Sequence, residues 1–130
     1  MFNNCFKGKK VLVTGNTGFK GSWLSLWLLE LGAKVYGLSN GIPTNPSMYK
    51  VLGLSDKINH YDADVRDYEQ VKKIIQEVAP DFIFHLAAQS VVSKSYNDPL
   101  ETISTNVIGT SVVLEALRYF ENDCVAIIIT

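Results

Sequence analysis

Three glycines at an interval of three, Gly15, Gly18 and Gly21 in the stretch TGNTGFKG, follow directly on the aliphatic run Val11, Leu12 and Val13. This junction restricts the fold more than any other feature of the chain. Three consecutive aliphatics bounded by a glycine turn suit a strand covered on both faces. The glycines then place permissive backbone where that strand hands over to a helix. The helix is expected from about Phe19 to Leu31, ended by Gly32 in the left-handed conformation. Within it Trp23 and Trp27 are four apart, as are Leu24 and Leu28. Almost every face is therefore apolar, and burial on more than one side is expected.

The same alternation continues along the chain. Short apolar strands are expected over Lys10 to Val13, Val35 to Leu38, Ile58 to Val65, Phe82 to Leu86 and Val125 to Ile129. SNGIPTNPS, with two prolines, reads as a loop, and a weak helix is expected from Ser47 to Leu54. A further helix opens at Asp67, with Gln70 at capping-box spacing, and closes at Pro80. Another starts with Asp98 as cap, Pro99 at the first helical position and Glu101 three residues past the cap, and runs to Tyr119. Strands too apolar to leave one face in water, alternating with helices, predict an α/β fold. It is a doubly wound parallel sheet of the Rossmann type, comprising the first five strands and the intervening helices.

Residues 1–130 suffice for one domain. Twelve Lys and Arg against 13 Asp and Glu leave no basic excess for nucleic acid. Cys5 and Cys124 lack metal-ligand or disulfide spacing, which points to a reducing, cytoplasmic setting without a metal site. SWLSLWLLEL is hemmed in by Lys20 and Glu30 and falls short of the roughly 20 apolar residues of a membrane span. The lysines at Lys7, Lys9 and Lys10 precede only three aliphatics, with no cleavage site after them, so a signal peptide is not expected.

In a doubly wound sheet the first strand-to-helix turn holds the pyrophosphate of a dinucleotide, on amide hydrogens and the positive end of the helix dipole. Gly15 is expected to make the tight turn, Gly18 to let phosphate approach the backbone, and Gly21 to let helix and strand pack closely. The spacing G-x-x-G-x-x-G is one residue longer between the first two glycines than the common fingerprint and is typical of short-chain dehydrogenases and reductases. Asp64, after the third strand, either accepts a hydrogen bond from an adenine amino group or merely shapes a surface turn. In HLAAQ, small side chains at Ala87 and Ala88 leave room for ribose or phosphate. His85, without a second ligand, reads as a hydrogen-bonded core histidine.

One expected group is missing. An acidic residue about 20 positions past the glycines normally binds the adenosine ribose, and this chain offers Ser39, Asn40 and Gly41 there. Ser39 or Asn40 can bond a hydroxyl more weakly, and with no arginine nearby NAD is favoured over NADP. Tyr68 and Lys72 match the Tyr-x-x-x-Lys spacing of a catalytic pair, but they lie too early in the fold and read as an i, i+4 surface pair. Catalytic residues are expected beyond Thr130. The chain is then either the N-terminal part of a longer enzyme or a non-catalytic binding module, and an unpaired edge at the fifth strand is expected to promote homo-oligomers.

VTGNTGFKGSWLSLWLLELGAKVYG, PTNPS, DVRD, FHLAAQ, SYNDPLETISTNVIGT and the closing IIIT together resemble the N-terminal part of the CDP-glucose 4,6-dehydratases. These form a branch of the extended short-chain dehydrogenases/reductases within the NAD-dependent epimerase/dehydratase family. GFKGSWLSLWL and PTNPS single out the branch. The resemblance implies a pyrophosphate site at Gly15, Gly18, Phe19, Lys20 and Gly21, and Asn16 is counted with Ser39 and Asn40 among the cofactor-binding residues. Asp64 and Val65 would face adenine, and Leu86, Ala87, Ala88 and Gln89 would run beside ribose and nicotinamide. Thr105 and Asn106 would brace the cofactor side, with Gln89, Ser93 and Tyr96 toward a nucleotide-sugar substrate. The implied reaction is a lyase cycle in which hydride leaves C4 of the glucose, water is lost across C5 and C6, and hydride returns at C6. Related dehydratases and epimerases act on GDP-mannose, dTDP-glucose or UDP-glucose. The chain departs from the family at Asn16, usually His, at Gly41, usually Asp, and at Ser93, usually Arg, although Lys94 keeps a positive charge adjacent.

Overall fold

The computed structural model describes residues 1–129; Thr130, the last residue of the IIIT motif, lies outside them. Five parallel strands form one sheet in the order β3-β2-β1-β4-β5. They are β1 (Lys10–Thr14), β2 (Lys34–Ser39), β3 (Asn59–Asp62), β4 (Phe82–His85) and β5 (Val125–Ile128). The helices are α1 (Phe19–Glu30), α2 (Met48–Val51), α3 (Tyr68–Val78), α4 (Val92–Asn97), α5 (Pro99–Ile103) and α6 (Gly109–Arg118).

Strand β1 is the centre, and its side chains divide the core by their alternation. Val11 and Val13 point to one face, where Leu28, Ala33, Val35, Tyr49, Leu54 and Ile58 join them. Leu12 points to the other, where Leu38 and Ile83 meet Val71, Ile74, Ile75 and Val78 of α3 and Val113 and Ala116 of α6. Helices on both faces of a parallel sheet confirm the doubly wound class.

Local chemistry sets the helix ends. Asp67 accepts from the Gln70 amide at 3.1 Å and from Gln70 Nε2 at 2.8 Å, opening α3. Ala79, in the left-handed region, stops it one residue before Pro80. Asp98 accepts from the Glu101 amide at 3.0 Å and Pro99 follows it, as the sequence predicts. The helix from there runs on to Arg118, but through a π-helical segment at Ser104–Ile108.

Three expectations need correction. Helix α1 is not buried on several sides: its inward face is Gly21, Ser22, Ser25 and Leu28, while Trp23 and Trp27 are 47% and 48% exposed. Close approach to the strand selects small residues inward and leaves the bulky ones outside. Strand β3 is shorter than Ile58 to Val65 and polar, because it is a sheet edge; Ile58 and Val65 are buried to either side of it. Helix α4 is an addition to the expected elements, since Val92–Asn97 carries neither a side-chain cap nor a buried residue to announce it.

Candidate functional site

The turn from β1 to α1 is closed by backbone. The Gly15 amide donates to the Leu38 carbonyl at 2.8 Å and the Gly18 amide to the Gly15 carbonyl at 3.1 Å. Gly15 has φ +72°, and a Cβ there would meet the backbone of Leu86 and Ala87. A Cβ on Gly21 would overlap the Gly15 carbonyl. Gly18 differs: its φ is −74° and an added Cβ would reach only the Gly15 carbonyl oxygen, at 3.4 Å. The protein's own packing requires Gly15 and Gly21 to be bare, but not Gly18.

Gly18 is also the N-cap of α1 and supplies no side-chain cap. The first backbone bond into the helix is from Ser22 to Gly18, at 2.9 Å, so the amides of Phe19, Lys20 and Gly21 have no backbone acceptor among the described residues. Uncapped amides, the positive helix end and a bare Cα in front of them make a cradle that fits a diphosphate. Phe19 and Lys20 are exposed beside it.

Beneath the turn lies a polar network that the sequence did not disclose. Asn16 is fully buried. Its Oδ1 accepts from Ser39 Oγ at 2.7 Å and its Nδ2 donates to His60 Nδ1 at 3.2 Å. Thr17 shares its hydroxyl hydrogen between Ser39 Oγ, at 3.0 Å, and the Gly41 carbonyl, at 2.7 Å. The Asn16 side chain fills the space where Gly37 lacks a Cβ. Burial holds the His60 pKa below its ordinary value, with Asp62 opposing. Asn16 and Ser39 thus spend their polar atoms on the protein, whereas Asn40 is exposed and has no side-chain hydrogen bond among the described residues.

At the end of β3, Asp64 is clamped by Arg66: Oδ1 accepts from the Arg66 amide and Nε, both at 2.9 Å, and Oδ2 from Nη2 at 2.6 Å. These bonds hold the Asp64 carboxyl below the usual carboxylate range, and the same contacts with Asp64 and Glu101 raise the Arg66 pKa. Arg66 Nη1 reaches Glu101 of α5 at 2.8 Å and Ser104 at 3.2 Å. The side chain of Val65 is buried in the core, close against Gly109.

The β4 exit is ordered by Thr14. Its Oγ1 accepts from the amides of Leu86, at 3.2 Å, and Ala87, at 3.1 Å, so its own hydrogen goes to His85 Nδ1, at 2.7 Å. His85 Nε2 then carries the ring hydrogen and donates to Thr110 Oγ1 at 3.0 Å, and Thr110 donates to the Asn106 carbonyl at 2.7 Å. His85 is a neutral core histidine, its pKa lowered by burial. Asn106 locks Gln89 in both directions: Oδ1 accepts from the Gln89 amide at 2.7 Å and Nδ2 donates to its carbonyl at 3.0 Å.

This exit lies directly against Gly15, so Gly15, Ala87 and the glycine turn come together. Ala88 is exposed next to them, and Thr105 bonds Glu101 at 3.5 Å on the π-helical segment. Ser93 and Tyr96 sit on α4, exposed. Leu86 also lines an open groove of about 540 Å³ with Trp23, Trp27 and Ile129. Lys72 stands over the half-buried Tyr68 ring on α3, its Nζ 5.6 Å from the ring centroid. Among the described residues no group of three or more His, Cys, Asp or Glu side chains is placed to hold a metal ion. No helix among them is long and apolar enough to cross a membrane.

A parallel sheet whose first crossover is a glycine turn into an uncapped helix defines a Rossmann-type domain of the class that receives dinucleotides. The chain belongs to the GDP-mannose 4,6 dehydratase family, whose model matches residues 12–130. It is 48% identical to the CDP-glucose 4,6-dehydratase of Salmonella typhimurium over 119 residues, 92% of this chain and 33% of that protein. The UDP-glucose 4-epimerase of Thermotoga maritima, solved with UDP-glucose, superposes with a TM-score of 0.79 at 32% identity, over 92% of this chain and 37% of that one. The UDP-glucose 4-epimerase of Thermus thermophilus, solved in complex with NAD, gives 0.76 at 33% identity, over 85% of this chain and 34% of that one. The chain thus spans about a third of the length of these relatives.

Proposed function

We propose that this chain is the NAD-binding part of a nucleotide-sugar 4,6-dehydratase, a lyase converting CDP-glucose to CDP-4-keto-6-deoxyglucose. The observation that carries the reading is Gly18, a glycine that the fold itself does not require, at the mouth of three unpaired helix amides. The 48% identity to a CDP-glucose 4,6-dehydratase supports the choice of sugar nucleotide over GDP-mannose, dTDP-glucose or UDP-glucose.

In this reading the amides of Phe19, Lys20 and Gly21 hold the diphosphate, with Gly15 and Ala87 shaping the floor. Bound NAD supplies reversible hydride acceptance at the sugar. The residues of this chain bind and orient. Asp64 and the Val65 backbone border adenine, and Arg66 ties that border to α5. The paired bonds between Asn106 and Gln89 fix the loop from Leu86 to Gln89 beside the nicotinamide, and Gln89, Ser93 and Tyr96 border the sugar nucleotide. The groups that move protons belong, in this reading, to the part of the relatives' length that this chain does not span. A reducing cytoplasmic compartment and association of copies belong to the same reading.

Calorimetry of the 130-residue chain with NAD tests the cofactor. Measurable, weak binding is expected, and no heat at millimolar NAD overturns it. The intact protein, offered CDP-glucose, GDP-mannose, dTDP-glucose and UDP-glucose, is expected to dehydrate the first. The 130-residue chain alone is expected to convert none.

A further inference from the structure

Resting on the NAD reading above, we infer that Asp62 supplies the carboxylate that receives the adenosine ribose, replacing the acidic residue missing from the end of β2, and that it sets the preference for NAD over NADP. The fold calls for an acidic side chain beside the ribose, and Ser39, Asn40 and Gly41 occupy that stretch. Ser39 is committed elsewhere: it is 8% exposed, donates to Asn16 and accepts from Thr17.

The sheet register pairs Ser39 with Asp62. Asp62 therefore stands at the same end of the sheet on the next strand out, adjacent strands lying about 4.8 Å apart. Asp62 Oδ1 accepts from the Gly41 amide at 3.2 Å, which brings it to the loop where the missing acid would sit. Asp62 is exposed, and its Oδ2 has no partner among the described residues. Gly41 is held in turn through its carbonyl by Thr17, a residue of the glycine turn. The carboxylate is thus tethered, through one loop residue, to the turn that holds the diphosphate. Acceptor-only oxygens suit the two ribose hydroxyls, and their charge repels a 2′-phosphate.

The test is calorimetric titration of the intact protein and of its Asp62→Asn and Asp62→Ala variants with NAD, NADP and 2′-deoxy-NAD. Asp62→Asn keeps an oxygen for the Gly41 amide but replaces the charged carboxylate by a neutral amide with one acceptor and one donor, and matching circular dichroism spectra check that the fold survives. The parent protein is expected to prefer NAD over NADP, and Asp62→Asn to reduce that ratio about tenfold or more. The parent is expected to bind 2′-deoxy-NAD about tenfold more weakly than NAD, a difference absent in Asp62→Ala. A ratio in Asp62→Asn within about twofold of the parent overturns the role of Asp62 and leaves the NAD site standing. A parent that binds no NAD overturns both.

Discussion

The carbonyl oxygen of Gly15 occupies the space that a Cβ on Gly21 would fill, so the strand exit and the first turn of α1 are in contact through bare backbone. Two glycines of the triplet are thereby structural, while packing does not require the third, Gly18, to be bare.

That division predicts opposite phenotypes within one motif. Gly21→Ala forces backbone apart and is expected to cost about 2 kcal/mol or more. Gly15→Ala adds a side chain at φ +72° against Leu86 and Ala87, with a similar cost. Gly18→Ala is expected to cost no more than about 1 kcal/mol, since Ala is only a poorer N-cap, and yet to weaken NAD about tenfold or more by blocking the phosphate. Urea denaturation and calorimetry on the three variants separate the effects. A Gly18→Ala protein with unchanged NAD affinity contradicts the assignment.

Asn16 and Gly37 form a complementary pair, one side chain filling the other's missing Cβ. Gly37→Ala is expected to destabilise by about 1–3 kcal/mol through overpacking. Asn16→Ala is expected to do so by a similar amount, because the Ser39 hydroxyl and His60 lose a buried partner. In the double variant the overlap is gone, so its cost should fall short of the sum of the two single costs by about 1 kcal/mol or more. Strict additivity in a double-mutant cycle would rule out the contact.

The neutral tautomer of His85 predicts acid sensitivity. Nδ1 accepts from Thr14, whose hydroxyl already receives two amides, so a proton added at Nδ1 faces a donor. Burial lowers the His85 pKa below 6.5, and the folded protein binds fewer protons there than the unfolded chain. Stability from this group is complete above about pH 6.5 and falls as the pH drops toward and through the folded pKa. His60, also lowered, adds to the same slope. An NMR titration of His85 should give a midpoint below 6.5, and the acid-side slope of stability should be shallower in His85→Gln.

What the sequence showed was whatever repeats at short range. The five strands, the caps at Asp67 and Asp98, and the junction of Val11–Val13 with the glycines all follow from neighbours within a few residues. What stayed hidden depends on register between distant strands. No local spacing links Asn16 to His60, 44 positions away, or Arg66 to Glu101, 35 away. The polar replacement at Ser39 read as a weakened ribose site because its partner on β3 is visible only once the sheet is paired. Helix α1 misled for a related reason: hydrophobicity favoured burying the tryptophans, but steric fit against the turn selected Gly21, Ser22 and Ser25.

That inward face carries one further consequence. Ser25 is fully buried in α1, and its Oγ has no hydrogen-bond partner among the described residues. A hydroxyl taken from water without a partner costs about 1–3 kcal/mol, and Ala is also the better helix former. Ser25→Ala removes the hydroxyl and keeps the small volume that close packing on the sheet demands. The variant is therefore expected to be more stable by about 1 kcal/mol, seen as a higher urea midpoint with an unchanged slope. Ser25→Val, which keeps the site apolar but adds a methyl group and β-branching, is expected to lose that gain to crowding. A destabilised Ser25→Ala protein would show that the hydroxyl is bonded after all and that the inner face of α1 is selected for polarity rather than for size.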